Sequence, residues 1–396
     1  MPDRQIRVAH IITRMILGGA QENTLFTVEG LQAKPLYDVR LLTGPAIGPE
    51  GELLRRARDH NVAVDLVPEM RRELNPVLDF MAFWRLVNML RRYRPHIVHT
   101  HSSKAGILGR AAAHFVHTPI VIHTIHGLPF RAYGAAVMRH LLLRAERAVA
   151  AWSDKVISVA DAMSRQAIYA RVGTPELYTT IYSGMEVGAF GERPGVRERI
   201  RTELGIPQDA LVIGKVSRIF AMKGHQYVVR AAPRIVERFP NAVFMFVGDG
   251  LWRPRIEKQI ASLGLGDHFV FTGLVDPSRI PDMILAMDVL VHASLREGLA
   301  RVLPQGLLSE RPVVSYDVDG APEIIIDGDT GRLVPPQSVD KLADAIIDLL
   351  ANPAAAKVMA QRGRKLCMQL FPVERMVDSI DRLYRELLAA KGIRRF

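Results

Sequence analysis

The sequence has one cysteine, Cys367, in 396 residues. That excludes a disulfide framework and any cysteine-rich metal site, and it fits a reducing compartment. No uninterrupted apolar run approaches the ~20 residues that a spanning helix needs. The N-terminus passes directly into a strand pattern, without the apolar core of a signal peptide. A cytoplasmic protein without a transmembrane anchor is expected. Low-complexity tracts and short repeats are also missing. No G-x-G-x-x-G follows the first strand pattern and no acidic residue ends the second, so a dinucleotide cofactor fits poorly.

The apolar fraction is 48%, and the length suits two domains of ~100–200 residues, each with its own core. Net charge is +11 and unevenly placed. Residues 71–147 carry twelve Arg or Lys against Glu73, Asp79 and Glu146. Such an excess implies an anionic partner, either nucleic acid or an acidic membrane surface. There is no zinc-finger spacing and no aromatic-rich RNA-binding strand, so nucleic acid is disfavoured. Residues 129–152 read as a basic amphipathic helix. Met138, Leu142, Ala145, Val149 and Trp152 lie on one side, and His140, Arg144 and Arg147 mark the other. Such a helix either packs on its own domain or meets acidic lipid.

Short apolar runs alternate with helical patterns, which indicates α/β units and largely parallel sheets. Strands are expected at residues 6–12, 39–42, 64–67, 97–101, 120–124, 156–159 and 180–182. A second set is expected at 211–216, 243–247, 269–271, 289–292 and 313–316. Each set reads as a doubly wound domain. The division is 1–187, 188–372, and a last helical segment 373–396 beyond Phe371-Pro372. Gly184, Gly188, Gly191 and Pro194 punctuate the join.

Several loops carry residues suited to a ligand. Gly18 and Gly19 follow the first strand and open a helix; they make either an ordinary tight turn or an anion site at a helix N-terminus. His99 and His101 share a strand face, so a metal site is conceivable, but no acidic partner is near in sequence. His126-Gly127 lies just past a strand, at the carboxyl edge where open α/β sheets bind ligands. Arg218 and Lys223 follow the first strand of the second half. They are either solvated surface cations or the two positive charges a diphosphate needs. Glu297 precedes Gly298, Leu299 and Ala300 and a helical stretch containing Gln305. It is either a helix-start acid favoured by the macrodipole or an acceptor for sugar hydroxyls, with the following N–H groups facing phosphate.

Taken in order, these residues resemble a known family. Gly18-Gly19-Ala20-Gln21, His126-Gly127, Tyr182-Ser183-Gly184-Met185, Ser217-Arg218 with Lys223-Gly224, Val247-Gly248-Asp249-Gly250, and Glu297-Gly298-Leu299 with Pro312-Val313-Val314 match GT4 retaining glycosyltransferases. The stretch from Ser102 to Arg110 is similar to members that build exopolysaccharide or other envelope glycans on a lipid carrier. The resemblance implies the GT-B fold: two facing Rossmann-like α/β domains with parallel sheets, and a C-terminal helix crossing back to the N-terminal domain. It implies an N-terminal acceptor domain and a C-terminal nucleotide-sugar domain. It also implies Arg218 and Lys223 on the diphosphate, Gly18 and Gly19 closing on it, His126 on the transferred sugar, and Glu297 on that sugar's hydroxyls. Gly248, Gly298, Leu299, Ala300 and Gln305 complete the nucleotide site.

The implied activity is a hexosyltransferase for polysaccharide biosynthesis. It would move a hexose or N-acetylhexosamine from a UDP-linked sugar to a glycan or polyprenyl-linked acceptor. No cofactor or metal is expected. The enzyme would be peripheral on an anionic cytoplasmic membrane face and would not bind nucleic acid. Three positions depart from the pattern: Gln21 where Glu is usual, Ser183 where Asn is usual, and Gln305 in place of the second Glu of E-x7-E. Two other readings stay open, a sugar-nucleotide epimerase and, because of Gln305, a non-catalytic nucleotide-binding protein.

Overall fold

Strands buried on both faces read as near-continuous Val, Ile and Leu runs, because helices cover a parallel sheet from both sides. The computed structural model, which describes residues 5–46, 53–128, 130 and 136–393, contains two such sheets. One structural unit takes in the chain up to Met185 and again from Pro372 onward; the other is Glu186–Phe371.

The first unit holds β1 (Ile6–Arg14), β2 (Tyr37–Gly44), β3 (Ala63–Leu66), β4 (Ile97–His101), β5 (Ile120–Ile125), β6 (Lys155–Ser158) and β7 (Tyr178–Thr180). They pair in parallel in the order β3-β2-β1-β4-β5-β6-β7. The second holds β8 (Leu211–Val216), β9 (Ala242–Val247), β10 (Phe269–Gly273), β11 (Val289–His292), β12 (Val313–Tyr316) and β13 (Arg332–Val334). Their order is β10-β9-β8-β11-β12-β13, again parallel. In both units the order reverses beside the first strand, between β1 and β4 and between β8 and β11. At such a reversal the loops leaving the two strands diverge and open a crevice at the carboxyl edge.

The strand at 180–182 is displaced to Tyr178–Thr180, because Tyr178 Oη donates to Val172 O and Thr180 Oγ1 to Asp161, fixing the earlier residues at the sheet edge. β13 was not expected. It is three residues long and begins with a charge, so it has no apolar run to announce it. The stretch beginning at Ser103 is a helix, Ser103–Phe115.

Local chemistry explains the helix borders. In Pro76–Tyr93, Asn75 accepts from the N–H groups of Val77 and Leu78 at 3.1 Å each, Pro76 supplies a preset φ, and Arg94 ends the helix at φ 52°. The last helix, Val373–Ala390, belongs to the first unit. Its Met376, Val377, Ile380, Leu383, Tyr384 and Leu388 join the core that Ile6, Val8, Ile12, Leu25 and Leu31 build on one face of the sheet. Polar contacts fix its register. Asp381 accepts from Tyr37 Oη, from Lys34 Nζ at 2.9 Å and from the Arg385 guanidinium. Burial pushes that carboxyl up, but the hydrogen bonds from Arg385, Tyr37 and Lys34 outweigh it and hold it below the ordinary aspartate range. No helix among the described residues is long and apolar enough to cross a membrane.

Candidate active site

In the Glu186–Phe371 unit the order reversal brings together two motifs some eighty residues apart. Residues 217–224 leave β8 and residues 293–300 leave β11. Leu295 N–H donates to Met222 O at 2.9 Å, which ties the two loops together. Gly224 has φ 74°, and a Cβ there would lie 1.8 Å from Ala293 O, so only glycine permits this approach. The result is that Lys223 Nζ and the Glu297 carboxylate form an ion pair, each about a fifth exposed. Glu297 is held in turn by its N–H, which donates to Asp319 Oδ2 at 2.7 Å. Arg218 is exposed on the same edge, its guanidinium 5.4 Å from the Phe220 ring centre.

Gly248 sits behind this loop. Its φ is 126°, and a Cβ would meet Ser217 O at 2.4 Å. It thus lets the end of β9 support the Arg218 loop, where Ser217 N–H donates to Val247 O and Ile219 N–H to Asp249 O. Gly298 and Leu299 are half-buried and Ala300 is buried. They lead into the helix Val302–Leu308, on which Gln305 is half-buried. Gly298 O also accepts from Gly320 N–H at 2.9 Å. Beneath the edge lies Lys215, a lone lysine inside an apolar strand. It is 1% exposed, and burial, reinforced by Lys223 and opposed by Glu297, pushes its ammonium down to about 7.

The corresponding edge of the first unit is built differently. Where β1 and β4 diverge, Thr13 Oγ1 and Ser102 Oγ are 2.7 Å apart, and Thr13 Oγ1 also accepts from Ala105 N–H at 3.2 Å. Ser102 adopts φ 62°, ψ 164°, a conformation that costs a side-chain-bearing residue about 1–3 kcal/mol and that tends to mark functional sites. Gly18 caps and Gly19 begins the helix Gly19–Gln32, and the Gln21 side chain lies over Gly18.

His126, half-buried past β5, stacks on His101 with ring centres 5.7 Å apart and its Nε2 3.4 Å from His101 Nδ1. His99 and His101 share a face as expected, and β1 adds His10 to them, in register with His99. Burial keeps all three neutral: His10 falls to about 3, and His99 and His101 fall well below the ordinary range. Their nitrogens are close enough to hold a metal ion. However, His10 Nδ1 and His101 Nε2 already share a hydrogen bond of 3.0 Å, which an ion would have to displace. His123 faces the other side of the sheet, against Thr100 Oγ1 at 2.9 Å.

Several cations of residues 71–147 have partners within the unit. Arg110 is buried against Glu146 at 2.7 Å, Lys104 pairs with Asp79 at 2.6 Å, and Arg85 with Glu69 at 2.6 Å. Arg147 donates twice to Ala170 O, a tie within the unit. Pro129 and residues 131–135 of the basic amphipathic helix lie outside the described residues; the described helix is Ala136–Ala150. Its Leu142 and Leu143 pack on Phe130, Ala150 and Ala167, while Val137 and Leu141 are exposed beside Arg139 and Arg144. A second apolar surface was missed in the sequence. Phe80, Trp84 and Phe115 are exposed and pack edge to face, with Arg91 5.4 Å over the Phe115 ring.

The sequence reading also missed His10, Tyr384 and Lys215. Lys215 had a signal, a single charge within the apolar run of β8. His10 had only its strand parity, and nothing near Tyr384 in the chain reveals its partners.

Comparison with known proteins supplies the family. Residues 196–366 match the glycosyl transferases group 1, and residues 18–184 match the glycosyl transferase 4-like domain. Over 393 residues, 98% of each chain, the protein is 25% identical to UDP-Gal:alpha-D-GlcNAc-diphosphoundecaprenol alpha-1,3-galactosyltransferase of Escherichia coli. It is 34% identical over 191 residues to alpha-D-kanosaminyltransferase of Streptomyces kanamyceticus, 48% of this chain and 49% of that one. Its fold resembles Anabaena HepE in complex with UDP and glucose, at TM-score 0.83 and 21% identity over 96% of this chain and 100% of that one. With both domains matched in order along one chain, the protein belongs to the GT4-like glycosyltransferases, enzymes of the GT-B fold.

Proposed function

We propose that the protein transfers a hexose or N-acetylhexosamine, with retention, from a UDP-sugar to a glycan carried on a polyprenyl diphosphate. The observation that carries this is the ion pair of Lys223 and Glu297 beside Arg218 at the β8–β11 reversal. A donor diphosphate brings about two negative charges to two cations. It competes with Glu297 for Lys223, and the released carboxylate then accepts hydrogen bonds from sugar hydroxyls. Arg218 and Lys223 stabilise the charge that grows on the leaving diphosphate, which is where electrostatic preorganisation contributes most. They supply this charge without a divalent ion. The C1–O bond to the diphosphate breaks, the acceptor oxygen bonds to C1 on the same face, and its proton passes to the departing phosphate.

The Glu186–Phe371 unit is the nucleotide-sugar domain, with Gly298, Leu299, Ala300 and Gln305 on the phosphate and ribose side. The other unit takes the acceptor; on it Gly18 and Gly19 are the proposed phosphate contacts and His126 the proposed sugar contact. The E. coli relative, matched over nearly its whole length, acts on a sugar-diphosphoundecaprenol, which favours an acceptor of that class here. Such an acceptor lies in a membrane. The exposed Phe80, Trp84 and Phe115 with Arg91, and Val137 and Leu141 with Arg139 and Arg144, suit peripheral contact with an anionic cytoplasmic face.

The test is a thermal-shift panel of UDP-, GDP- and ADP-sugars, followed by transfer to N-acetylglucosaminyl polyprenyl diphosphate. Donor at 100 times Kd adds ~2.7 kcal/mol of stability. Stabilisation by a UDP-sugar and a product longer by one sugar are expected. Binding without turnover for any donor and acceptor would identify a non-catalytic member, and conversion of donor alone to another sugar nucleotide an epimerase.

A further inference from the structure

We propose that Tyr384, His10 and His101 form a hydrogen-bond relay that fixes the tautomer and orientation of His126, making Tyr384 a positioning residue of the sugar site. The inference rests on the reading that His126 meets the transferred sugar. The relay runs from the last helix through β1 and β4 to the loop after β5. Tyr384 Oη is 3.4 Å from His10 Nε2, His10 Nδ1 is 3.0 Å from His101 Nε2, and His101 Nδ1 is 3.4 Å from His126 Nε2. A branch leaves the same phenol: Tyr384 Oη is 2.6 Å from His99 Nδ1, and His99 Nε2 is 2.7 Å from Thr124 Oγ1. Tyr384, His10, His99 and His101 are completely buried, so no solvent proton satisfies a link that fails.

A neutral imidazole carries one N–H and one lone pair, so the direction of one link dictates the next. Burial keeps these imidazoles neutral. The phenol has one proton for two histidines. Its contact with His99 is much the shorter, as expected for an O–H donor. With that proton on the His99 link, His10 Nε2–H donates to the phenol oxygen. His101 Nε2–H then donates to His10 Nδ1, and His126 Nε2–H donates to His101 Nδ1. His126 then carries its lone pair on Nδ1, the tautomer in which that atom accepts from a hydroxyl and does not donate to one. Without the phenol, His10 Nε2–H loses its acceptor. The chain is then better satisfied reversed, with His10 Nδ1–H donating toward His101 and His126 carrying its proton on Nδ1. The last helix would in this way set the chemistry of a loop far from it in sequence.

The test uses the full chain with ¹⁵N-labelled histidine, with the His126 signals assigned by their loss in His126→Gln. Imidazole ¹⁵N shifts report which nitrogen is protonated. The unmodified protein should show His126 as the Nε2–H tautomer. Tyr384→Phe should move it toward Nδ1–H and lower transfer kcat/KM about tenfold through misdirected hydrogen bonding. Tyr37→Phe, which removes the neighbouring hydroxyl bound to Asp381, should loosen the same helix and leave the His126 signals in place. His10→Asn cuts the relay one link nearer and reads the same nuclei in a different background. Unchanged His126 signals in folded Tyr384→Phe or His10→Asn would overturn the relay. A reversed tautomer with unchanged turnover would leave the relay standing and overturn the reading that His126 serves the transferred sugar.

Discussion

The two order reversals occupy equivalent places in two sheets of the same design, yet they present opposite chemistry. At β8 and β11 the edge is ionic. Lys223 and Glu297 remain partly exposed, so water offsets the cost of keeping both charged. At β1, β4 and β5 the edge is a cluster of histidines and hydroxyls, buried so completely that the imidazoles stay neutral. One scaffold thus gives a charged surface where solvent reaches and a neutral hydrogen-bonding surface where it does not. The first suits a diphosphate; the second meets solvent at the half-buried His126, which suits a polyol.

If the ionic edge holds the diphosphate, removing its charge should have the largest effect of any single change. Lys223→Met or Arg218→Ala should lower kcat/KM for a UDP-sugar by about 10- to 150-fold, equivalent to ~1.5–3 kcal/mol of charge-assisted hydrogen bonding. Wild-type kinetics in both variants would break the contrast between the edges.

The next effect is on stability. Lys215 has a folded pKa of about 7 against an ordinary value of 10.5. Above 10.5 both states are neutral and the burial cost vanishes. Between about 7 and 10.5 only the unfolded chain holds the proton, so stability climbs with pH, and below about 7 the full cost applies. Lys215→Met should therefore raise Tm at neutral pH and flatten the climb toward pH 10, as melting curves at stepped pH would show. Asp381 also gains stability as pH rises, but in the acid range and as a net stabiliser. Its depressed pKa stabilises the first unit above about pH 4 and ceases to do so as the pH falls. Asp381→Asn should cost ~1–3 kcal/mol at pH 7 and remove that acid sensitivity, read by urea unfolding at pH 7 and pH 3.

The smallest expected effect is at Gln305. A ribose diol donates to an amide oxygen much as to a carboxylate, with a difference of ~1 kcal/mol. Gln305→Glu should change donor KM several-fold and leave kcat nearly unchanged in steady-state assays.

Both sheets were legible in the sequence because parallel strands are apolar on both faces, so runs such as Leu211–Val216 and Val289–His292 stand out with correct ends. β13, short and led by Arg332, did not. The ionic edge was legible because it consists of local motifs after strands, and strand order alone brings them together. The histidine cluster was half legible. His99 and His101 share parity within one strand, but His10 arrives through sheet register and Tyr384 from 374 residues away. The partners of the basic segment were hidden for a related reason. Counting charge cannot show that Arg110, Lys104 and Arg147 already have partners inside the fold.

The most direct measurement is calorimetric titration of UDP, which carries the diphosphate but no sugar, into the unmodified protein, Lys223→Met and His126→Gln. The account predicts that Lys223→Met weakens UDP about 10- to 100-fold, with a smaller salt dependence than the unmodified protein, and that His126→Gln leaves UDP affinity unchanged. Unaltered UDP affinity in Lys223→Met, or a comparable loss in His126→Gln, would contradict the division between an ionic phosphate edge and a neutral sugar edge.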